Sequence, residues 1–382
     1  MEALELLDII SLGETSTVQF KRTLDSTDKL AAELCALANS EGGMILFGVE
    51  NDGSIGGLEP SEVRELNSRI ASVASEKIRE PLFPYSEVVK IEGKNVLVVS
   101  VPESESKPHF DGSGAIWVKN MADKRRVTSR EELRRIFQDA HVFYADEQPV
   151  RRTSLADLDR LAFRDFYEQE YGPLDQETTP LARLLENMNL ARKENLTLAG
   201  LLFFGKHPER FRPELMTKAV AFPGTEPTDS KYLDSEDLNG TLPQQLDKSK
   251  SFVLRNLRKV QGDQSVNTEG IPEIPPEALE ELLVNMLVHR NYFVATPQKI
   301  FLFQDRIELH SPGILPNALT VEQVKAGNSI PRNPILHALA SKLMPYRGIG
   351  TGIRRAFKLY SAIELFNEEQ ENRFRVIIQR PG

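Results

Sequence analysis

Apolar residues recur at two different periods along the chain, and the alternation of the periods predicts a mixed α+β protein. In the first 142 residues, a helical apolar stripe in STDKLAAELCALANSEGG stops at a Gly-Gly pair, and a short buried strand, MILFGVENDG, follows. NVLVVSVPES and GAIWVKNM predict further strands, and SREELRRIFQDA predicts a closing helix with Ser129 as its N-cap. We therefore predict an α+β domain over residues 1–142.

The pattern changes between residues 143 and 270, where helical periods dominate. Helices are predicted in SLADLDRLAFRDFYEQEYG, PLARLLENMNLARKENL and SFVLRNLRKVQG, and a strand is predicted in TKAVAFPG. A polar loop is predicted near residues 262–270. We assign residues 143–270 to a connector, or middle region, that leads into the next core.

The last segment, residues 271–382, begins with a helix that is apolar in almost every direction, IPPEALEELLVNMLVHRNYF. Such a helix is expected to be buried nearly all round. Glu277, Glu281, Asn285 and His289 nevertheless form a polar row spaced by four residues. A polar row on a buried helix either is satisfied by an interior network or faces a wet cavity, and we favour the cavity.

The stretch GIGTGIRRAF places Gly348, Gly350 and Gly352 directly before a helix. Three glycines in five positions indicate unusual backbone dihedrals or a group that approaches the backbone closely. A loop that enters a helix N-terminus is an anion site, although a C-cap and turn without a ligand would show the same letters. The apolar positions of this helix recur at helical spacing, and the basic side chains fall largely on the other face: Arg354, Arg355 and Lys358.

Length and composition limit the class of protein. A chain of 382 residues is expected to form two or three domains, and 40% apolar with 27% charged residues is typical of a globular protein. No stretch approaches the about 18 apolar residues that span a bilayer, and MEALELLDII lacks a basic leader, so we expect a cytoplasmic protein without a membrane partner. A single cysteine, Cys35, and six scattered histidines predict no disulfide and no structural metal.

The net charge of −9 argues against a protein that coats nucleic acid with its whole surface. A local basic patch remains, because seven basic residues and three acidic residues lie between positions 119 and 135. The basic residues are Lys119, Lys124, Arg125, Arg126, Arg130, Arg134 and Arg135. This patch is either a nucleic-acid surface or a solvated helix face.

Four ordered motifs in the last segment, NMLVHRNY, DRIELHSPGILP, PRNPIL and GIGTGIRRAF, resemble the GHKL ATPases. Within that superfamily they are similar to a divergent bacterial group of helicase-related proteins and transcriptional regulators, HATPase_c_4. The resemblance implies a GHKL-like α/β sandwich over residues 271–382 that binds ATP with Mg²⁺. No P-loop of the G-x-x-x-x-G-K-[ST] type is present, which excludes a P-loop helicase.

The resemblance also implies roles for individual residues. Asn285 matches the asparagine that ligates Mg²⁺ on the ATP phosphates, and Glu281 matches the glutamate that polarises the attacking water. Ser311 stands at or near the position of an aspartate that binds the adenine amino group, so binding and hydrolysis are separate predictions. Residues 316–346 match the nucleotide lid. The remaining nucleotide-binding residues are His289, Gly313, Gly348, Gly350, Thr351 and Gly352.

The first domain resembles the Schlafen-type AlbA domain (AlbA_2) in GETSTVQFKRTL, LAAELCALANSEGGMILFGVENDGSIGGL and AIWVKNMADKRRVTSREEL. The resemblance implies nucleic-acid binding and, in some members, RNA cleavage by three metal-binding acidic residues. Glu14 matches the first, but Gln19 takes the place of the second, and Asp52 matches the third. A neutral amide weakens a hard-cation site, so we expect a vestigial site and no nuclease activity. Asp52 also fits a simple hairpin turn with Gly53.

Nucleic-acid binding does not depend on the metal, because basic side chains meet the phosphates directly. The candidates are Lys21, Arg22, Lys119, Lys124, Arg125 and Arg126. The leading hypothesis is a DNA- or RNA-binding regulator, with transcription as the expected process, whose conformation or homodimerisation follows ATP and Mg²⁺ binding. The alternatives are a metal-dependent nuclease or an ATPase, and a scaffold that binds neither ligand.

Overall fold

The computed structural model of the chain describes residues 1–104, 106–140, 142–174, 180–227, 231–261, 270–316 and 319–381. The chain forms two compact units, an N-terminal unit of residues 1–143 and a C-terminal unit of residues 144–382. Each unit combines helices with β-sheets, which confirms the predicted α+β, multidomain class. Within the described ranges, no helix is long and apolar enough to cross a bilayer.

The N-terminal unit is built on a four-stranded sheet with the strand order β1-β2-β5-β4. Its helices are α1 (Ala3–Ser11), α2 (Thr27–Ala38), α3 (Pro60–Glu76) and α4 (Arg130–Asp139). Its strands are β1 (Val18–Lys21), β2 (Gly43–Phe47), β3 (Ile78–Arg79), β4 (Tyr85–Ile91), β5 (Lys94–Val101), β6 (Phe110–Asp111), β7 (Trp117–Asn120) and β8 (Asp123–Arg126).

Side chains on the two faces of this sheet enter separate apolar clusters. Ile45 and Phe47 of β2 pack with α2 and α3, whereas Leu46 packs with α1 on the other face. This is the alternation that a strand imposes on successive side chains. The N-terminal unit is therefore a three-layer arrangement of α1, sheet and α2 with α3.

The junction between α2 and β2 has the sequence SEGG, and its two glycines are required by the backbone. Gly42 has a φ of +77°, a left-handed conformation that glycine adopts without strain. A Cβ on Gly43 would lie 2.3 Å from the backbone oxygen of Thr17. The predicted helix and strand are both present, but β2 ends at Phe47, and ENDG forms a tight turn at residues 50–53.

The C-terminal unit carries nine α-helices, two 3-10 helices and ten strands in its described residues. The helices are α5 (Arg160–Tyr171), α6 (Leu181–Asn187), α7 (Leu198–Phe204), α8 (Pro208–Phe211), α9 (Leu242–Asn256), α10 (Pro276–His289), α11 (Val321–Ala326), α12 (Pro334–Leu343) and α13 (Gly352–Leu359), with 3-10 turns at Leu155–Asp157 and Pro213–Leu215. The strands are β9 (Ala191–Arg192), β10 (Asn195–Leu196), β11 (Thr217–Ala221), β12 (Asp234–Leu238), β13 (Lys259–Val260), β14 (Ile271–Pro272), β15 (Gln298–Leu302), β16 (Arg306–Pro312), β17 (Ile363–Glu368) and β18 (Arg373–Gln379).

A six-stranded sheet, β12-β11-β15-β16-β18-β17, forms one layer of this unit. Ile300, Leu309, Val376 and Leu365 are in register across four strands, and all four are buried in the core. Helix α10 packs against this layer at β16 and against α9, α12 and α13. Its burial on almost every side agrees with the apolar pattern of its sequence.

Two predicted helices of the middle region end earlier than their apolar patterns indicated. The helix in PLARLLENMNLARKENL ends at Asn187, and a β9–β10 hairpin follows because Lys193 and Glu194 adopt positive φ angles of 48° and 65°. The helix in SFVLRNLRKVQG belongs to α9, which ends at Asn256. Residues 262–269 of the predicted polar loop lie outside the described part of the chain.

Candidate nucleotide cleft and nucleic-acid surface

The first turn of α13 lies against the polar row of α10. A Cβ built on Gly352 would lie 2.5 Å from Oε2 of Glu281 and 3.2 Å from Nδ2 of Asn285. Both distances are shorter than ordinary van der Waals contacts, so a side chain at position 352 would displace Glu281. Glycine at this position therefore lets the N-terminus of α13 approach the carboxylate and the amide.

The other two glycines of the loop are required for different reasons. Gly348 and Gly350 have φ angles of +67° and +72°. A Cβ on Gly350 would lie 2.2 Å from the backbone oxygen of Gly327, and one on Gly348 would lie 2.9 Å from Cε1 of His337. The loop is thus left-handed at two positions and closely packed at all three, which accounts for the repeated glycine.

Helices α10 and α13, the glycine loop and β16 enclose a cavity of about 110 Å³, called here the α10–α13 cleft. Its apolar wall includes Leu282, Met286, Leu309, Phe374 and Val376. All nine residues predicted for nucleotide binding or catalysis line it: Glu281, Asn285, His289, Ser311, Gly313, Gly348, Gly350, Thr351 and Gly352. Glu277, the first member of the polar row, is exposed and lies outside the cleft lining.

The chemistry of this lining fits a phosphate chain and a hard cation. Nδ2 of Asn285 donates to the backbone oxygen of Glu281 at 2.6 Å, which leaves the side-chain oxygen as the acceptor that Mg²⁺ prefers. The backbone N–H groups in the first turn of α13 have no acceptor within the helix, and the helix dipole is positive there. Oxygen ligands and N–H donors therefore meet at one end of the cleft.

Arg355 is the cleft residue that the sequence pattern misplaced. We expected it on the face of α13 away from the apolar stripe, but its guanidinium is ion-paired with the carboxylate of Glu281. Residues three apart on a helix share a face, so Arg355 follows Gly352 towards α10. The requirement for glycine at position 352 is the sequence signal that could have located Arg355.

The other end of the cleft holds a ring cluster. Nε2 of His289 lies 2.8 Å from the hydroxyl of Tyr346, and the ring of His337 contacts both rings. Burial, with smaller effects of His337 and Arg332, lowers the pKa of His289 to about 4, so the ring is neutral at neutral pH. Ser311 is also buried in the cleft lining, and its Oγ donates to the backbone oxygen of Met286 at 3.5 Å.

The predicted lid, residues 316–346, contains α11 and α12 and contributes Asn328, Ser329 and Arg332 to the cleft lining. Residues 317 and 318 of this segment lie outside the described part of the chain. A volume of about 110 Å³ holds several water molecules but is smaller than typical ligand pockets of about 300–1,000 Å³. A nucleotide would therefore require the lid or the glycine loop to move outwards.

In the N-terminal unit, two of the three residues predicted for a vestigial nuclease site are in contact. The buried Gln19 donates to Glu14, whose Oε1 also accepts the backbone N–H of Phe20 at 2.7 Å. Asp52 lines a different hollow and accepts the backbone N–H of Ser54 at 2.9 Å, as a turn residue does. Hydrogen bonds from the side chain and the backbone of Ser54 lower the pKa of Asp52. Among the described residues, no three His, Cys, Asp or Glu side chains form a metal-binding group.

Lys119 does not present its charge to solvent, in contrast to our expectation of a phosphate contact. Its side chain is 2% exposed, and its Nζ donates to Gln19 and Glu33 at 3.0 Å and to the backbone oxygen of Ala122 at 2.9 Å. Lys124 donates to Glu33 at 2.6 Å. Burial opposes ionisation of Glu33, but the hydrogen bonds and charges of the two lysines outweigh burial and lower its pKa. The ion pairs hold β7 and β8 against α2.

The other residues predicted to contact phosphate, Lys21, Arg22, Arg125 and Arg126, are more exposed to solvent than the side chain of Lys119. Lys21 and Arg22 line a polar hollow of about 680 Å³ with Asp25, Glu50 and Asp52. The Arg22 guanidinium donates to the backbone oxygen of Gly57 and lies 3.4 Å from Glu50. Arg126 is exposed, and Arg125 is about half exposed in an ion pair with Glu132. The side chains at positions 131 and 135 of the basic patch lie outside the described part of the chain.

Three families match the chain. Residues 14–128 match the Schlafen AlbA_2 family, and residues 296–378 match HATPase_c_4, described as the C-terminal part of a recG-type ATP-dependent DNA helicase. Residues 134–215 match a domain of unknown function, DUF8451. No curated protein matches the sequence.

Two solved structures are similar to this chain, one over most of its length and the other over about a third of it. The DIP2311 protein from Corynebacterium diphtheriae is 20% identical over 96% of this chain, with a TM-score of 0.45, and the chain spans 65% of its length. The N-terminal domain of a RecG-related protein from Nitrosomonas europaea is 26% identical over 34% of this chain and 96% of its own, with a TM-score of 0.26. The family descriptions associate the chain with nucleic-acid-related and nucleotide-related function. The chain therefore carries a Schlafen AlbA_2 region followed by a HATPase_c_4 region, which confirms both resemblances found in the sequence.

Proposed function

We propose that this protein is a nucleic-acid-binding regulator whose C-terminal unit binds ATP with Mg²⁺, and whose conformation or dimerisation follows the bound nucleotide. The observation that carries the proposal is the meeting of Glu281, Asn285 and Gly352 in the wall of one cavity. That wall combines an oxygen ligand, a carboxylate and free helix N–H groups. The HATPase_c_4 match supports the same ligand class.

Each part of the cleft has a role in this proposal. The side-chain oxygen of Asn285 holds the cation, which when bound supplies positive charge to the phosphates. The N–H groups that begin α13 bind phosphate oxygens, and the apolar wall at Met286 and Val376 takes the base. Because the cleft is small, nucleotide binding opens the lid. The position of the lid is then the structural difference to which a partner or a second subunit responds.

Calorimetry with a non-hydrolysable ATP analogue and Mg²⁺ tests the nucleotide site. Asn285→Ala is expected to weaken binding by about tenfold or more, because it removes a cation ligand. Glu277→Gln is the matched control, since Glu277 is exposed on the same helix and outside the cleft. Absence of binding to the wild-type protein, or equal affinity of Asn285→Ala and wild type, would contradict the proposed site.

The N-terminal unit supplies the nucleic-acid contacts of the proposal through Lys21, Arg22, Arg125 and Arg126. Fluorescence anisotropy with mixed DNA and RNA oligonucleotides is expected to show an affinity that falls steeply with salt. Lys21→Ala is expected to reduce the slope of log affinity against log salt by about one unit. Lys90→Ala removes an exposed charge from the edge strand β4 and is the control.

Coupling between the two ligands is tested by repeating the anisotropy measurements with the ATP analogue and Mg²⁺ and by sedimentation velocity. The regulator proposal requires the oligonucleotide affinity or the oligomeric state to change when nucleotide is bound. Equal affinities and equal sedimentation at every salt concentration would remove the regulatory part of the proposal. Unchanged nucleotide binding would then leave two independent binding units.

Hydrolysis is a second candidate activity, favoured by the position of Glu281 one turn from Asn285. Phosphate release that is lost in Glu281→Gln, with nucleotide still bound, would establish it. A nuclease is disfavoured by the contacts of Gln19. This amide donates to Glu14 and accepts from the buried ammonium of Lys119, where a metal site would need carboxylates.

A further inference from the structure

One contact in the α10–α13 cleft has no part in the roles described above. The guanidinium of Arg355 is ion-paired with Glu281, the residue placed to polarise water. Arg355 lies one helical turn after Gly352, and the adjacent Ala356 is fully buried. Arg355 therefore enters the cleft because α13 packs closely against α10 at Gly352.

The ion pair is partly shielded from solvent. The side chain of Glu281 is 11% exposed, and that of Arg355 is 35% exposed. Removing one partner of a shielded pair is costly because the other charge is left without compensation. Arg355 is thus expected to leave Glu281 only when another anion takes its place. Its Nε is buried and finds no hydrogen-bond partner in the described part of the chain, so the guanidinium retains an unused donor.

The order of the lining residues along α10 identifies this second anion. His289 and the ring cluster lie at one end, Asn285 follows, and Glu281 with Arg355 lies one turn beyond Asn285. One turn of helix is about 5.4 Å, close to the two steps that separate the first and third phosphates of a triphosphate. With the base at the His289 end, against Met286, and the first phosphate beside the cation at Asn285, the terminal phosphate comes to lie beside Arg355.

Guanidinium groups bind phosphate through paired N–H donors, and phosphate carries more charge than a carboxylate. On the basis of the proposed nucleotide site, we infer that Arg355 is the terminal-phosphate sensor of the cleft. It holds Glu281 until a nucleoside triphosphate binds, and it then transfers to the terminal phosphate and releases the Glu281 carboxylate. A diphosphate ends one group short of Arg355 and leaves the ion pair intact.

Calorimetry with the non-hydrolysable ATP analogue and with ADP, both with Mg²⁺, tests this inference without a measurement of turnover. The wild-type protein is expected to bind the triphosphate more tightly than ADP. Arg355→Ala is expected to lose about tenfold or more in triphosphate affinity and to bind ADP as wild type does, because one charged hydrogen-bonded contact is removed. Lys358→Ala removes an equal charge from an exposed position of α13 and is expected to match wild type.

A second variant keeps the inference testable if Arg355→Ala does not fold. Glu281→Gln removes the charge that competes for Arg355, so it is expected to bind the triphosphate at least as tightly as wild type does. Equal loss of triphosphate and ADP affinity in Arg355→Ala, or weaker triphosphate binding in Glu281→Gln, would overturn the sensor and leave the nucleotide site standing. Failure of the wild-type protein to bind either nucleotide would overturn both.

Discussion

Asp146 is a buried carboxylate whose replacement by asparagine is expected to change the pH dependence of stability. The residue is 0% exposed, and its Oδ2 accepts the backbone N–H groups of Ile335 and Leu336 at 2.7 and 3.0 Å, at the start of α12. Its Oδ1 is buried and has no hydrogen-bond partner among the described residues. Burial raises the pKa from 3.8 to about 6, against the opposing effect of the two backbone hydrogen bonds.

The raised pKa fixes the sign and the size of the effect. Because ionisation is less favourable in the folded state, the contribution of Asp146 to stability is complete below pH 3.8 and is lost as the pH rises through about 6. A shift of about two units corresponds to about 3 kcal/mol of unfolding free energy. Asparagine does not ionise, so Asp146→Asn should gain about 3 kcal/mol relative to wild type between pH 4 and pH 7.

Urea unfolding at several pH values, followed by far-UV circular dichroism, measures this difference. The chain has one tryptophan, Trp117, which lies in the N-terminal unit, so its fluorescence reports the unfolding of that unit. The fluorescence transition is expected to be the same in Asp146→Asn and wild type. A free-energy difference that stays constant from pH 4 to pH 7, or that falls, would refute the assignment of a costly buried charge.

Three further predictions concern the glycine loop, a buried ion pair and a buried thiol. Gly350→Ala is expected to lower the thermal midpoint through a strain of about 1–2 kcal/mol, because position 350 is left-handed and its Cβ would meet the backbone of Gly327. Lys119→Met should destabilise the N-terminal unit by about 3 kcal/mol, because Glu33 loses one buried partner. Urea unfolding followed by Trp117 fluorescence measures this change, and an unchanged unfolding midpoint would contradict it. Burial raises the pKa of Cys35 to about 12, so a thiol reagent at pH 8 should react only after unfolding.

The local elements were predictable because their signals lie within a few residues of one another. Ser26 caps α2 through its own hydroxyl, and the two glycines after the helix are required by the turn. The polar row of α10 and the glycine loop were visible as spacing alone, and the structure places Glu281, Asn285 and His289 in one cavity with that loop. Where a strong apolar pattern continued past its helix, as at residues 188–196, left-handed turn residues ended the helix instead.

The partners of buried charges were decided only by the tertiary structure. Arg355 is 74 positions from Glu281, Lys119 is 86 positions from Glu33, and the carboxylate of Asp146 is 189 positions from the N–H of Ile335. A local pattern shows that a residue is charged, but the cost of burying a charge is met by whichever opposite charge or N–H group the fold brings to it. Sequence spacing therefore located the elements and the motif residues, but not the C-terminal ends of two helices. The packing of α10 against α13 and of α2 against β7 and β8 determined which charges remain available to a ligand.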